Sequence, residues 1–326
     1  MLVLSARDVR RVLPFAECAA AMRTALTALA AGEASQPLRT VVRPHGAAGT
    51  MMLMPSYRQG ADPVYALKAL CLTPSNPAAG LDVHQGIVLL SAAGTGEPLA
   101  VLNASAVTEI RTAAVSAVAT ELLARPEADV LAIIGTGVQA RSHLLAIAAS
   151  RPLAEIRVAG RERAHAEALA ESVQPETVVP VRACGSAAEA VSGAGLVVTA
   201  TSSPVPVIDR AWLTEGTHVN AVGAHTAGTR ELDSRTVADA AFFADSRESV
   251  CSESGDYLLA LADGLIGADH IRAELGEVLT GAAPGRSGPQ EITVFESLGL
   301  AVEDLAAAAL AYQRAVAGGL GQEVEF

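Results

Sequence analysis

The sequence predicts an α/β protein: a doubly wound parallel sheet in the second half, preceded by an α+β region whose sheet is mostly antiparallel. Two observations carry this. From about residue 128, apolar runs of strand length (DVLAIIG, EIRVAG, TVVPVRA, GLVVTAT, THVNAVGA and AAFFADS) alternate with helical segments. Strands apolar on both faces belong to a parallel sheet covered by helices. Between residues 38 and 103, short strand-like segments instead follow one another with only turn chemistry between them, the pattern of a meander. At 326 residues, 51% hydrophobic and 18% charged, the chain has material for about two domains with large cores.

Taken in order, residues 1–32 read as helices. Ser5 and Asp8 suit a capping box; Pro14 opens a second helix over AECAAAMRTALTALAA and Gly32 closes it. The strands of the meander are LRTVVRPH (38–45), TMMLMPSY (50–57), VYALKALCL (64–72), GIVLLS (86–91) and PLAVLN (98–103), separated by HGAAG, RQGADP, PSNPAAG and AAGTGE. A long helical pattern over 104–124 stops at Arg125-Pro126. The tail, EITVFESLGLAVEDLAAAALAYQRAVAGG, is a strand or turn and then a long helix.

Several function classes drop out. A net charge of −12 and 3% aromatic residues oppose nucleic-acid binding, which needs clustered cations and stacking platforms. No window reaches ~18 uninterrupted apolar residues, and MLVLSARDVRRVLP lacks a signal-peptide layout. Cys18, Cys71, Cys184 and Cys251 are far apart, so neither a zinc ribbon nor a disulfide framework is expected. No HExxH and no Ser/His/Asp or Cys/His arrangement is visible. The expectation is a soluble, cytoplasmic protein without a metal centre.

The strongest local signal is VLAIIGTGVQARSHLLAIA (130–148): a strand, the turn Gly135-Thr136-Gly137-Val138-Gln139-Ala140, then a helix. This GxGxxA turn lets the backbone bend tightly and sets a pyrophosphate on a helix N-terminus, so a Rossmann-type dinucleotide site is predicted. At the end of the second strand, where an acid would hold the ribose of NAD(H), Gly160 and Arg161 stand. An arginine there suits a 2′-phosphate, which favours NADP(H) and leaves NAD(H) possible; the alternative is a solvated helix-start residue. Lys68 is the only lysine among 23 basic residues, and it sits in an apolar strand. An unpartnered buried ammonium is costly, so it is either an edge-strand residue reaching water or a fixed cation for a substrate carboxylate. Arg39 and Arg111 lie in similarly apolar surroundings and suit a carboxylate or a structural ion pair. His225 follows the strand THVNAVG, at the end of the sheet where ligands bind. There it is an acid or base near neutral pH, or simply a turn cap. His84 carries the same ambiguity.

Together these residues resemble the ornithine cyclodeaminase/μ-crystallin family. The stretches that carry the likeness are PLRTVV, LMPSY, LDVHQGIVLLSAAGTGEPLAVLNASAVTEIRTAAVSAVATELLA, LAIIGTGVQARSHL, THVNAVGAHTAGTRELD, SESGD, LGEVLTG and TVFESLGLAVEDLAAAALAY. The resemblance is closer to the μ-crystallin ketimine-reductase branch than to the cyclodeaminases. It implies a homodimer, with residues 1–117 and the C-terminal helix 304–326 forming a substrate and dimerisation domain and 118–303 the NAD(P)-binding domain. It places Arg39, Lys68 and Arg111 on the substrate carboxylate; from the reading of the residues themselves, Lys68 and His225 are the candidate catalytic groups. His84, Arg111, Gly135, Thr136, Gly137, Val138, Gln139, Arg161, Thr201, Val222 and Ser297 fall at or beside the cofactor. Cyclodeaminases carry an aspartate where this chain has His225 and a glutamate where it has Met52. The implied activity is therefore NAD(P)H-dependent reduction of a ketimine carboxylate, such as a pyrroline- or piperideine-2-carboxylate, or the reverse amino-acid dehydrogenation. An ornithine or lysine cyclodeaminase with bound NAD+, or a non-catalytic NADPH-binding protein, are the alternatives.

Overall fold

The computed structural model describes residues 1–325. Backbone contacts divide the chain into two compact units, Met1–Arg111 with Gly299–Phe326, and Thr112–Leu298. One dividing point falls inside a continuous helix, which carries no linker composition to mark it in the sequence. No single helix among the described residues is long and apolar enough to cross a membrane.

The first unit opens with β1 (Leu2–Leu4), α1 (Ala6–Val12) and α2 (Phe15–Ala30), followed by β2 (Ala34–Ser35) and β3 (Thr40–Val42). Then come β4 (Thr50–Arg58), β5 (Val64–Leu72), β6 (His84–Ala92), β7 (Pro98–Asn103) and α3 (Ala104–Leu123). The capping box at Ser5 and Asp8 forms as expected. β1 is a strand where the sequence suggested helix: three residues carry no period, and pairing with β7 decides their state. The meander β4–β5–β6–β7 is antiparallel throughout. Alternation along β5 points Ala66, Lys68 and Leu70 to the buried face.

The second unit contains β8 (Val130–Ile134), α4 (Val138–Ser150), β9 (Glu155–Ala159), α5 (Arg163–Val173), β10 (Val181–Ala183), α6 (Ala187–Val191), β11 (Leu196–Thr199) and β12 (His218–Ala221). α7 (Ser234–Asp239), β13 (Ala241–Ala244), α8 (Arg247–Glu253), α9 (Gly255–Ala262), β14 (Ile271–Glu274), α10 (Leu275–Thr280) and β15 (Thr293–Glu296) complete it. The sheet order is β10-β9-β8-β11-β12-β15-β13-β14, parallel at every pair. This is a Rossmann-type sheet whose order reverses between β8 and β11. Leu131 and Ile133 enter one core and Ala132 and Ile134 the other, which is why the strands read as unbroken apolar runs.

The chain then returns to the first unit as α11 (Ala301–Gly318) and β16 (Gln322–Glu323). α11 packs on β4, β5 and β6 and against α2. Its buried alanines, Ala306 to Ala309 and Ala311, let the helix backbone approach the sheet closely.

Candidate active site

In the first unit, Lys68 stands in the middle of β5, paired across to Met54 of β4 and Val88 of β6. Its side chain is 2% exposed, so the edge-strand alternative is excluded. The ammonium does not wait there alone, as the sequence suggested: its Nζ lies 2.6 Å from Asp304 Oδ2, in the first turn of α11. Arg111 joins the same pair, with Nε 3.0 Å from Asp304 Oδ1 and Nη1 3.0 Å from Glu303 Oε2. Glu303 also accepts from the Leu300 backbone N–H at 3.2 Å, which ties the charged cluster to the helix start. Arg39 Nη2 donates to the Gly299 carbonyl at 3.1 Å. Gly299 has φ +81°, and a Cβ there would fall 2.5 Å from Arg111 Nη2; only glycine admits the guanidinium.

The structure thus brings Arg39, Lys68 and Arg111 to one place, around the head of α11. Lys68 and Arg111 are buried there and Arg39 is half-buried beside them. Burial pulls the Lys68 ammonium down to about 8 although Asp304 opposes it. Burial also favours the neutral acid at Asp304, but Lys68 and Arg111 outweigh it and hold the carboxyl below its ordinary range. Met52 and Met54 share the buried face of β4 beside Lys68, so the wall next to the cations is apolar. His84 does not join the cluster. It begins β6, opposite Leu72, and its carbonyl accepts from the Ser105 hydroxyl.

In the second unit the remaining sequence-predicted residues collect at the carboxyl edge of the parallel sheet, where ligands of open α/β sheets bind. Gly135 to Gln139 follow β8, Arg161 follows β9, Thr201 follows β11, Val222 and His225 follow β12, and Ser297 follows β15. Gly135 has φ +131°, and a Cβ there would lie 2.4 Å from the Ala200 carbonyl oxygen. That close approach is at the β8/β11 reversal. Gly137, with no side chain of its own, stands at the N-cap of α4, so an anion can come close to the positive end of the helix dipole. These features fit the pyrophosphate of a dinucleotide. A Cβ at Gly160 would meet Thr136 Cγ2 at 2.7 Å, so the position of a ribose-binding acid is closed. Arg161 beside it is exposed, with no ion pair among the described residues.

His225 Nδ1 lies 2.9 Å from the Gly223 carbonyl oxygen. A carbonyl only accepts, so Nδ1 carries the hydrogen and Nε2 is the nitrogen through which a proton can come or go. Glu303, Asp304 and Glu231 escape sequence reasoning. Acids in a first turn read as partners of the helix dipole; the usable signal was the run LAAAALA (305–311) after Glu303 and Asp304, which leaves the first half of that helix no polar face.

The sequence matches the ornithine cyclodeaminase/mu-crystallin family over residues 1–319. The chain belongs to this family. It is 38% identical to the Delta(1)-pyrroline-2-carboxylate reductase of Bacillus cereus strain ZK / E33L, over 100% of both chains. It is 42% identical to the ketimine reductase mu-crystallin of Mus musculus, over 86% of this chain and 85% of that one. Among solved structures, the Delta(1)-pyrroline-2-carboxylate reductase of Thermococcus litoralis, in complex with NADH and L-proline, superposes with a TM-score of 0.96 at 37% identity, covering 99% of this chain and 100% of that one.

Proposed function

We propose that this family member is an NAD(P)H-dependent reductase of ketimine carboxylates, such as Delta(1)-pyrroline-2-carboxylate and its six-membered homologue. The reverse reaction would be oxidation of the amino acid. The observation that carries the proposal is the convergence of Arg39, Lys68 and Arg111 at the head of α11, with Lys68 and Arg111 buried beside an apolar wall. It suits one carboxylate on a small hydrophobic ring.

In this reading Arg39, Lys68 and Arg111 bind the substrate carboxylate, and Asp304 and Glu303 hold Lys68 and Arg111 in place. A fixed carboxylate fixes the adjacent carbon, which is worth more to the rate than binding alone. The Gly135–Gln139 turn and the α4 N-terminus would hold the pyrophosphate, with His84, Arg111, Thr201, Val222 and Ser297 around the rest of the cofactor. A bound nicotinamide cofactor supplies the hydride. His225, through Nε2 or a water, keeps the imine nitrogen protonated, the form that accepts hydride best. Exposed Arg161 and the closed position at Gly160 favour NADPH over NADH.

The family likeness also suggests a homodimer. Val42, Met51, Tyr65 and Ile87 are exposed on one face of β3 to β6, and a second copy would cover that apolar face. Cyclodeamination ranks second, because Met52 and His225 replace the acids that would handle the amino groups of a diamino acid. The test is a panel of cyclic imine acids and diamino acids with NADPH and NADH. Cofactor oxidation with the imine acids supports the proposal. Ammonia release from ornithine without net cofactor turnover would replace it with the cyclodeaminase reading.

A further inference from the structure

We propose that Glu231 is a positioning residue for the reaction: its two carboxylate oxygens tie the loop after β11 to the loop after β12, and so set Thr201 and His225. Glu231 is fully buried. Oε1 accepts from the Thr201 backbone N–H at 2.6 Å and Oε2 from the Gly223 N–H at 2.7 Å. Within the sheet β11 and β12 pair in register up to Thr199 and Ala221, and Val222 still donates to the Thr199 carbonyl at 3.0 Å. Beyond that point Glu231 takes over from the strand ladder. Only a carboxylate presents two acceptors in a fork; a glutamine would turn an NH₂ toward one of the two N–H donors.

The fork is itself anchored. Asp256 Oδ1, at the start of α9, accepts from the Glu231 and Leu232 N–H groups, both at 2.8 Å. The loops are in close contact at Gly223, where a Cβ would lie 2.1 Å from the Thr201 carbonyl oxygen and 2.7 Å from the Glu231 carboxyl carbon. From Gly223 the path reaches the reaction directly. Its carbonyl holds both the His225 N–H, at 3.1 Å, and His225 Nδ1, at 2.9 Å. Glu231 thus fixes one end of the residue whose other end selects the histidine tautomer. Burial pushes the Glu231 carboxyl up, while the Thr201 and Gly223 donors counter it, as expected for an acid kept for what it holds.

This inference rests on the reductase reading, and the test separates the two. Glu231→Gln, His225→Gln and the double variant are compared by NADPH affinity, read from cofactor fluorescence, and by kcat for imine reduction. If Glu231 acts by placing His225, Glu231→Gln lowers kcat about tenfold to a hundredfold alone but less than about threefold in the His225→Gln background. Through Thr201 it also weakens NADPH at least about threefold. Losses that multiply fully in the double variant, or an unchanged kcat, overturn the proposal. Should Glu231→Gln fail to fold, Gly223→Ala enters the same cycle with the same outcomes, since its methyl pushes Gly223 away from the Thr201 carbonyl and the Glu231 carboxyl group without removing the acid. If the wild-type protein reduces no imine, the reductase reading fails by itself. The NADPH affinity of the Glu231 or Gly223 variant then decides the tie, and an unchanged affinity overturns it.

Discussion

Lys68 concentrates the residue-scale argument. Its pairing with Asp304 changes what a substitution does. Lys68→Met leaves the buried Asp304 carboxylate with Arg111 as its remaining partner, which should cost about 3–5 kcal/mol of stability. Lys68→Met/Asp304→Asn removes the stranded charge and should regain most of that stability in urea unfolding, while kcat/KM stays at least about a hundredfold down. Recovery of activity together with stability would make the pair structural. The Lys68 pKa of about 8 adds a pH signature. In the free enzyme the cation is lost as pH rises through 8, so kcat/KM should fall above that pH. A bound carboxylate favours the ammonium, so the limb in kcat should lie higher. Arg161→Ala should raise the NADPH KM about tenfold to a hundredfold and leave NADH unchanged; equal effects would make Arg161 structural. Lys68 was legible in the sequence because a lone lysine in an apolar strand needs a reason. Its counter-ions were not, because nothing local tells that the acids of a helix more than two hundred residues later face that strand.

At the scale of elements, the β8–α4 turn was readable in full: the glycine spacing, the preceding apolar strand and the following helix all agree with the structure. Gly135→Ala tests whether its geometry matters. The methyl would meet the Ala200 carbonyl at the β8/β11 reversal, and φ +131° is unfavourable for alanine. A cost of about 1–3 kcal/mol is expected, with NADPH affinity falling at least about tenfold. Unchanged affinity would move the pyrophosphate elsewhere. The short elements were not readable. β1 exists because β7 offers it an edge and β16 because β1 does, and β14 because β13 does, across a register shift that no hydrophobic period anticipates. The capping of α11 is similarly non-local, since Gln36 Oε1 accepts from the Val302 N–H at 2.9 Å.

For the whole molecule, the buried acids of the parallel-sheet unit set the pH dependence of stability. Burial pushes Asp256 up to about 8 and Glu296 well above its ordinary value. The folded chain therefore keeps protons that the unfolded chain has lost. Stability from these groups is complete below the ordinary carboxylate range and is lost as pH rises through the folded values. Buried His218, held down to about 3, acts in the opposite sense but only below its ordinary 6.5. Between pH 6.5 and 8 stability should fall, by about 1.4 kcal/mol per pH unit for each proton retained. Asp256→Asn should flatten that slope in thermal melts, and a flat wild-type profile would contradict the buried-acid account. The two-sheet architecture was legible from strand texture, whereas no local composition marks where the chain divides, at Arg111 inside α3 and at Gly299 before α11; only the family resemblance grouped the C-terminal helix with the first region. The central claim is that the buried cations read a carboxylate on a cyclic imine. The most direct measurement is kcat/KM for NADPH-dependent reduction of Delta(1)-pyrroline-2-carboxylate against 2-methyl-1-pyrroline, which keeps the ring and the C=N bond and lacks the charge. The account predicts turnover of the acid to proline and at least about a hundredfold lower efficiency for the neutral imine; equal efficiencies, or no reduction of the acid, would contradict it.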